Sequence, residues 1–388
     1  MNRLTSKLPK VGTTIFTVMS QLAMKHGAMN LGQGFPDFAV PPELVDALER
    51  AMRAGHNQYA PMTGIPALRQ AIAAKTEALY GHPVDADTEV TVTSGATEAI
   101  FATVHALIRA GDEVIVLDPC YDCYEPAIEL AGATAVHVPL TDPGFRPDWE
   151  RIEAAVSPRT RMIIVNTPHN PCGSAFEPGD LDALAALAER HGLWVISDEV
   201  YEHIAFGEHG HQSVLRHPGL AARSLVVSSF GKTFHCTGWK VGYCIAPADL
   251  SAEFRKVHQY LTFCTFNPAQ HALAEMLDQH PEHYRSLPDF YRDKRDRFRD
   301  ALAASAFGLP SVDGSYFQLV DYSAISDRDD MAFCRWLVEE QGVAAIPLSP
   351  FYAEPPAGQR LIRLCFAKDD ATLDAAAAKL CAIAPGSG

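Results

Sequence analysis

Between Glu89 and Pro247 the chain alternates short β-branched runs with stretches of helical period, and few folds satisfy that alternation. Val90 to Thr93, Val114 to Leu117, Thr134 to Val138, Met162 to Val165, Trp194 to Ser197, Leu225 to Val227 and Tyr243 to Ala246 read as strands. Between the first two, Ile100, Val104, Leu107 and Ile108 recur at helical spacing, and Gly111-Asp112 turns the chain into the next strand. Such apolar runs separated by helices predict an α/β fold. Its centre is a mainly parallel seven-stranded sheet, with helices on both faces and each strand buried on both sides.

After Asn267-Pro268 the pattern changes to long helices, and the charged stretch Asp289 to Asp300 reads as a connector facing solvent along much of its length. A strand (Tyr316 to Val320), a helix (Asp329 to Glu340), two strands (Val343 to Ile346 and Leu361 to Phe366) and a last helix (Ala371 to Ile383) follow. With 388 residues, the expectation is two domains. Residues 43–283 form the large one, while 1–42, as an N-terminal arm, and 284–388 form a smaller α+β one.

Composition narrows the partners. Lysine and arginine total 32 against 47 aspartate and glutamate, and the net charge of -15 disfavours phosphate backbones and anionic lipid surfaces, so neither nucleic acid nor membrane is expected. Met1 to Phe16 holds no apolar signal core, and the longest apolar stretch, Ala99 to Ile108, is too short to cross a bilayer. A cytoplasmic protein is expected. Nine irregularly spaced cysteines argue against a disulfide framework. Cys120 and Cys123 form a C-x-x-C pair without a second ligand pair or a thioredoxin-like setting, and two buried, reduced thiols are expected. His203, His209 and His211 fit no common ligand spacing and read as a solvated loop, so no metal is expected.

In doubly wound sheets ligands sit beyond the carboxyl ends of the strands, so polar residues there are candidates for chemistry. Ser94-Gly95-Ala96-Thr97 follows the first strand, Tyr121 the second, Asn166 to Asn170 the fourth, Asp198 and Tyr201 the fifth, and Ser229 to Lys232 the sixth. Small residues opening a helix after Ser94 expose backbone N–H groups that suit a phosphate, the alternative being an ordinary cap. Lys232 and Lys240 lie in an apolar, glycine-rich stretch with few acidic partners. A desolvated lysine there has a lowered pKa and attacks aldehydes, the alternative being solvated charge. Asp198 ends an apolar strand, where a carboxylate is costly unless it meets a cation such as a pyridinium N–H; a helix cap is the competing role.

Six motifs occur together and in order: Asn30 to Asp37, Asn57-Gln58-Tyr59, Asn166 to Pro171, Asp198 to Tyr201, Ser229 to Gly242 and Ile362 to Phe366. Through them nearly the whole chain resembles the class I/II aminotransferases, fold-type I pyridoxal-phosphate enzymes. Ser228 to Tyr243 and Val257 to Thr262 are most similar to bacterial methionine aminotransferases and the kynurenine–oxoglutarate transaminase group. The resemblance implies Lys232 as Schiff-base lysine and proton shuttle, and Asp198 on the pyridine nitrogen of pyridoxal 5'-phosphate. It implies Asn170 and Tyr201 on the ring's phenolic oxygen and Tyr121 stacked on the ring. Ala96, Thr97, Ser229 and Lys240 would hold the phosphate, with Tyr59 reaching it from a second subunit of a homodimer with shared active sites. Arg363 would bind the substrate α-carboxylate, helped by Asn170 and the Gly34 backbone. Many relatives carry arginine at Lys240 and tryptophan or phenylalanine at Tyr121, differences that bear on cofactor affinity.

The resemblance further implies ping-pong transfer from an amino acid donor to a 2-oxo acid acceptor. Methionine and aromatic donors are expected, because Phe16, Tyr59, Phe263 and Phe266 stand near the matching segments and no spare arginine is evident. Other readings fit less well. Gly32-Gln33-Gly34 has Asp37 at the third glycine of a dinucleotide fingerprint and no clear strand before it. Ser229-x-x-Lys232 lacks the Ser-Asp-Asn and Lys-Thr-Gly partners of a serine acyl enzyme. A ligand-sensing regulator would need a DNA-binding module and a basic surface.

Overall fold

The computed structural model describes residues 4–141 and 144–387. Its strands are β1 Met29–Asn30, β2 Val90–Thr93, β3 Glu113–Asp118, β4 Thr134–Pro139, β5 Thr160–Asn166, β6 Trp194–Asp198, β7 Ser224–Ser229, β8 Gly242–Ile245, β9 Phe317–Asp321, β10 Val343–Ala344, β11 Ile346–Pro347 and β12 Leu361–Cys365. Seven of them form one sheet in the order β2-β8-β7-β6-β5-β3-β4. All its pairings are parallel except those of β8, which runs antiparallel to β2 and β7.

The period of two along each strand divides the core between the two faces of this sheet. Val114 and Val116 of β3 pack with Ile164, Ile196 and Leu225 beneath the helix Ala96–Leu107. Ile115 and Leu117 face the other way, joining Ile163, Val195 and Val226 beneath the helices Pro178–His191 and Asn267–Gln279. Six strands have this double burial. The edge strand β4 does not: Thr134 is exposed and Ala135, Val136 and His137 are half-buried, whereas β2 at the opposite edge is buried throughout.

A third apolar cluster joins the helix Ile15–His26, the helix Asp330–Glu339 and the antiparallel sheet β11-β12-β9. The run expected as one strand from Val343 to Ile346 is broken at Ala345 into two pieces with different partners. Its first part, β10, pairs in parallel with β1, and its second, β11, pairs antiparallel with β12. This break carries the chain from one small sheet into the other. The helix Pro281–Leu302 spans two clusters: Tyr284 packs under the large sheet, while Leu287, Tyr291, Phe298 and Leu302 pack in the third cluster. Its exposed face holds Asp293, Asp296 and Arg297, and Arg297 pairs with Asp370 and Asp374 of the last helix.

His203 and His211 depart from the solvated loop expected of them, for both are buried. His211 Nε2 lies 2.7 Å from Glu199 Oε2, and His203 Nε2 lies 3.3 Å from Lys75 Nζ, itself bonded to Glu202. Two buried carboxylates need such partners. No disulfide joins the nine cysteines; Cys120 is buried but Cys123 is only half-buried. Among the described residues no helix is long and apolar enough to cross a membrane.

Candidate active site

The strand ends β5, β6 and β7 meet the helix start after β2 on one rim, where a cavity of about 310 Å³ opens. Lys232, Asp198, Tyr201, Asn170, Tyr121, Ala96, Thr97, Ser229, Lys240, Gly34, Phe16 and Arg363 all line it. Tyr59 does not: it is 81% exposed on the outside of the chain, with its ring 5.1 Å from that of Phe263. Phe266 is exposed as well, so among the aromatics expected near the substrate Phe16 alone lies in this chain's own cavity.

Adjacent strands fix the floor. Asn166, at the end of β5, donates to Asp198 O at 2.8 Å and accepts from Asn170 N–H at 2.8 Å, so its side chain shapes the turn that presents Asn170. Asp198 Oδ2 accepts from Tyr124 O–H at 2.7 Å and Oδ1 from Val200 N–H at 3.3 Å. Burial still pushes this carboxyl up to about 6, against the pull of those two bonds and of the Lys232 charge. It is a turn, not a helix, that follows Asp198, so capping is not its role.

Lys232 sits in the short helix Phe230–Thr233, directly after β7. Desolvation lowers its ammonium to about 8, with Lys240 and Arg363 adding repulsion and Cys365 and Asp198 opposing it. Its Nζ lies 3.4 Å from Gly34 O and 5.7 Å from the ring centres of Tyr201 and Tyr316. An amine so placed is a ready nucleophile and base.

Opposite lies the helix Ala96–Leu107, which starts from Gly95 at φ 80°. A Cβ on Gly95 would meet Lys240 Cε at 3.2 Å and Nζ at 3.3 Å, and Lys240 itself adopts a left-handed φ of 54°. Glycine thus lets the lysine lie against the free N–H groups of the helix start, an arrangement for an anion.

The remaining wall comes from the third cluster. Arg363, on β12, is 1% exposed, donating to Asn170 Oδ1 at 2.6 Å and to Gly32 O at 2.9 Å. Its guanidinium lies 3.9 Å from the Phe317 ring centre, 5.3 Å from that of Phe16 and 5.5 Å from that of Phe351. Nε has no hydrogen-bond partner although it is buried, and desolvation lowers the group's pKa. This is a cation short of an anion. Gln33 ties Phe16 in place by donating to Phe16 O and to Ser20 Oγ.

Sequence reasoning missed Tyr124, Tyr316, Phe317 and Gln33 as parts of the site. For Tyr124 a signal existed in its position three residues after Tyr121, but nothing in the sequence connected Phe317 with Gly34 or Arg363.

Residues 26–380 match the family model of aminotransferases class I and II. The chain is 58% identical over 375 residues to methionine aminotransferase of Escherichia coli (strain K12), covering 97% of each. It is 34% identical to kynurenine–oxoglutarate transaminase 1 of Mus musculus, covering 93% of each. A solved structure of YbdL from Escherichia coli, described as having a methionine aminotransferase function, superposes with a TM-score of 0.96 at 57% identity, over 98% of this chain and 99% of that one. The chain belongs to the class I and II aminotransferase family, with the fold-type I architecture. Members of this family use pyridoxal 5'-phosphate to move an amino group between an amino acid and a 2-oxo acid.

Proposed function

We propose that this chain transfers the amino group of an uncharged donor, methionine or an aromatic amino acid, to a 2-oxo acid in a ping-pong reaction at the cavity around Lys232. The observation that carries it is the convergence of a pKa-lowered lysine, a buried carboxyl and a buried arginine on one cavity. The residues fit pyridoxal 5'-phosphate. Asp198 has no cation among its hydrogen-bond partners, and the Gly95 turn leaves room only for the Lys240 side chain beside free N–H groups.

Bound there, the cofactor supplies an aldehyde carbon that condenses with amines and a ring that accepts the electron pair left by the departing Cα proton. Lys232 would be its covalent anchor and the base that moves that proton. Asp198 would keep the pyridine nitrogen protonated, Asn170 and Tyr201 would hydrogen-bond the phenolic oxygen, and Tyr121 would stack on the ring. Ala96, Thr97, Ser229 and Lys240 would hold the phosphate, and Arg363 would bind the donor's α-carboxylate beside Gly34 and Asn170.

Tyr59, Tyr260, Phe263 and Phe266 are 81%, 89%, 42% and 54% exposed, which supports a second copy covering this face and Tyr59 serving that copy's phosphate site. The same reading assigns 43–283 to the cofactor domain and 1–42 with 284–388 to the domain that brings Arg363 and Phe16.

The donor class rests on similarity to a methionine aminotransferase and on the lining: Arg363 is the one arginine among the described lining residues, while Phe16, Ile100 and Val200 add apolar surface. A distal carboxylate would be desolvated there without a partner. A panel of amino donors against several oxo acids tests this. Methionine, phenylalanine, tyrosine or kynurenine should show the highest kcat/KM, and a preference for aspartate or glutamate would overturn the donor class while sparing the cofactor assignment.

A further inference from the structure

Behind the helix start that faces Lys240 lies a side-chain pair outside the cavity. His258, on the helix Ala248–Leu261, is 0% exposed, with its ring stacked near Phe254. Its Nδ1 is 2.8 Å from Glu98 Oε1 and its Nε2 is 3.1 Å from Met62 O. The other oxygen of Glu98 accepts from Ser94 N–H at 3.2 Å. A backbone carbonyl only accepts, and a carboxylate already accepting from an amide accepts again. Both ring nitrogens thus face acceptors, and the form of the ring that donates to both at once is the imidazolium.

Glu98 poses a problem that His258 answers. It stands in the first turn of the helix whose N-terminus faces the cavity, where its charge competes with a bound anion for the same dipole and repels it. It nevertheless has a use. No side chain caps this helix, and the Glu98 bond to Ser94 N–H fixes the turn just before the free N–H groups of Ala96 and Thr97. An imidazolium donating to Glu98 keeps that bond and removes the repulsion. Through Met62 O it also ties in the segment that carries Tyr59.

We propose that His258 is a positioning residue for the cofactor phosphate, acting through Glu98 to fix the Ser94–Thr97 turn and to cancel the carboxylate's charge. This rests on the reading of that turn as the phosphate cradle.

The test titrates apoenzyme with pyridoxal 5'-phosphate and, separately, with pyridoxal, which lacks the phosphate, following cofactor absorbance. Wild type should bind the phosphorylated form more tightly. His258→Gln should weaken it by about 10-fold to 100-fold, the worth of a hydrogen bond to a charged group, and leave pyridoxal binding within about twofold. Adding Glu98→Gln to His258→Gln should restore much of the loss, because the uncancelled carboxylate goes too. Equal losses for both ligands, or no recovery in the double variant, would overturn the proposal. Wild type that binds both ligands equally would instead remove the cradle reading itself. Should His258→Gln not fold, hydrogen exchange decides. The Ser94 amide of wild-type apoenzyme should exchange slowly without cofactor, and rapid exchange would count against a turn fixed from behind.

Discussion

The two walls of the cavity are built in different ways. On the sheet side, Asp198, Asn166 and Ser229 are consecutive strand ends, each held by its neighbour, as in the 2.8 Å bond from Asn166 to Asp198 O. On the opposite side, Gly32 and Arg363 are separated by 331 positions in the chain and meet only because β12 and the N-terminal segment pack together. The sheet wall carries groups whose pKa values burial has moved, Asp198 upward and Lys232 downward. The other wall carries one cation set among phenylalanine rings. On the proposed reading, bond-making chemistry would rest on sheet topology and donor recognition on a packing contact, so the two could change separately.

If this division is real, substitutions on the sheet wall should lower kcat and those on the other wall should raise KM. Lys232→Ala should have the largest effect, lowering transamination by more than about 10⁴-fold by removing both the nucleophile and the base, while pyridoxal 5'-phosphate still binds reversibly in the phosphate cradle. Single-turnover absorbance separates the two, and appreciable steady-state turnover by this variant would sink the assignment of Lys232.

Asp198→Asn keeps the size and a hydrogen-bonding group but loses the charge that protonates the pyridine nitrogen. A fall of about 10³-fold in kcat is expected with little change in KM, measured by initial rates with the best donor. Unchanged kcat would move Asp198 from chemistry to structure. Arg363→Ala should be the mildest of the three. It should raise KM about 10²-fold for every α-amino acid alike, since all present the same carboxylate to the buried guanidinium. Selective loss for one class of side chains would make Arg363 a specificity residue and blur the contrast between the walls.

Much of this site is legible in the sequence. The six motifs put Lys232, Asp198, Asn170 and Arg363 in one group, and all four line one cavity. The strand runs fall within a residue or two of β2 to β8, and in all of these but β4 the apolar residues are buried on both faces and so read strongly. What stays hidden depends on partners far away in the chain. The break at Ala345 follows from β10 and β11 choosing different strands, a choice invisible in a continuous apolar run. The buried places of His203 and His211 follow from the carboxylates of Glu202 and Glu199, whose need for donors is set by burial, not by spacing.

By itself the sequence determined the periodicities that make a parallel sheet with helices on both faces, and the small residues and glycines that open its carboxyl edge. Those are local properties of side-chain volume, branching and backbone freedom, and they act within a few residues. The tertiary structure decided which charges are desolvated and what meets them: Lys232 near Gly34 O, Arg363 among Phe16, Phe317 and Phe351, and His258 behind Glu98. Desolvation and pairing depend on everything packed around a group, and no stretch of sequence contains its own surroundings.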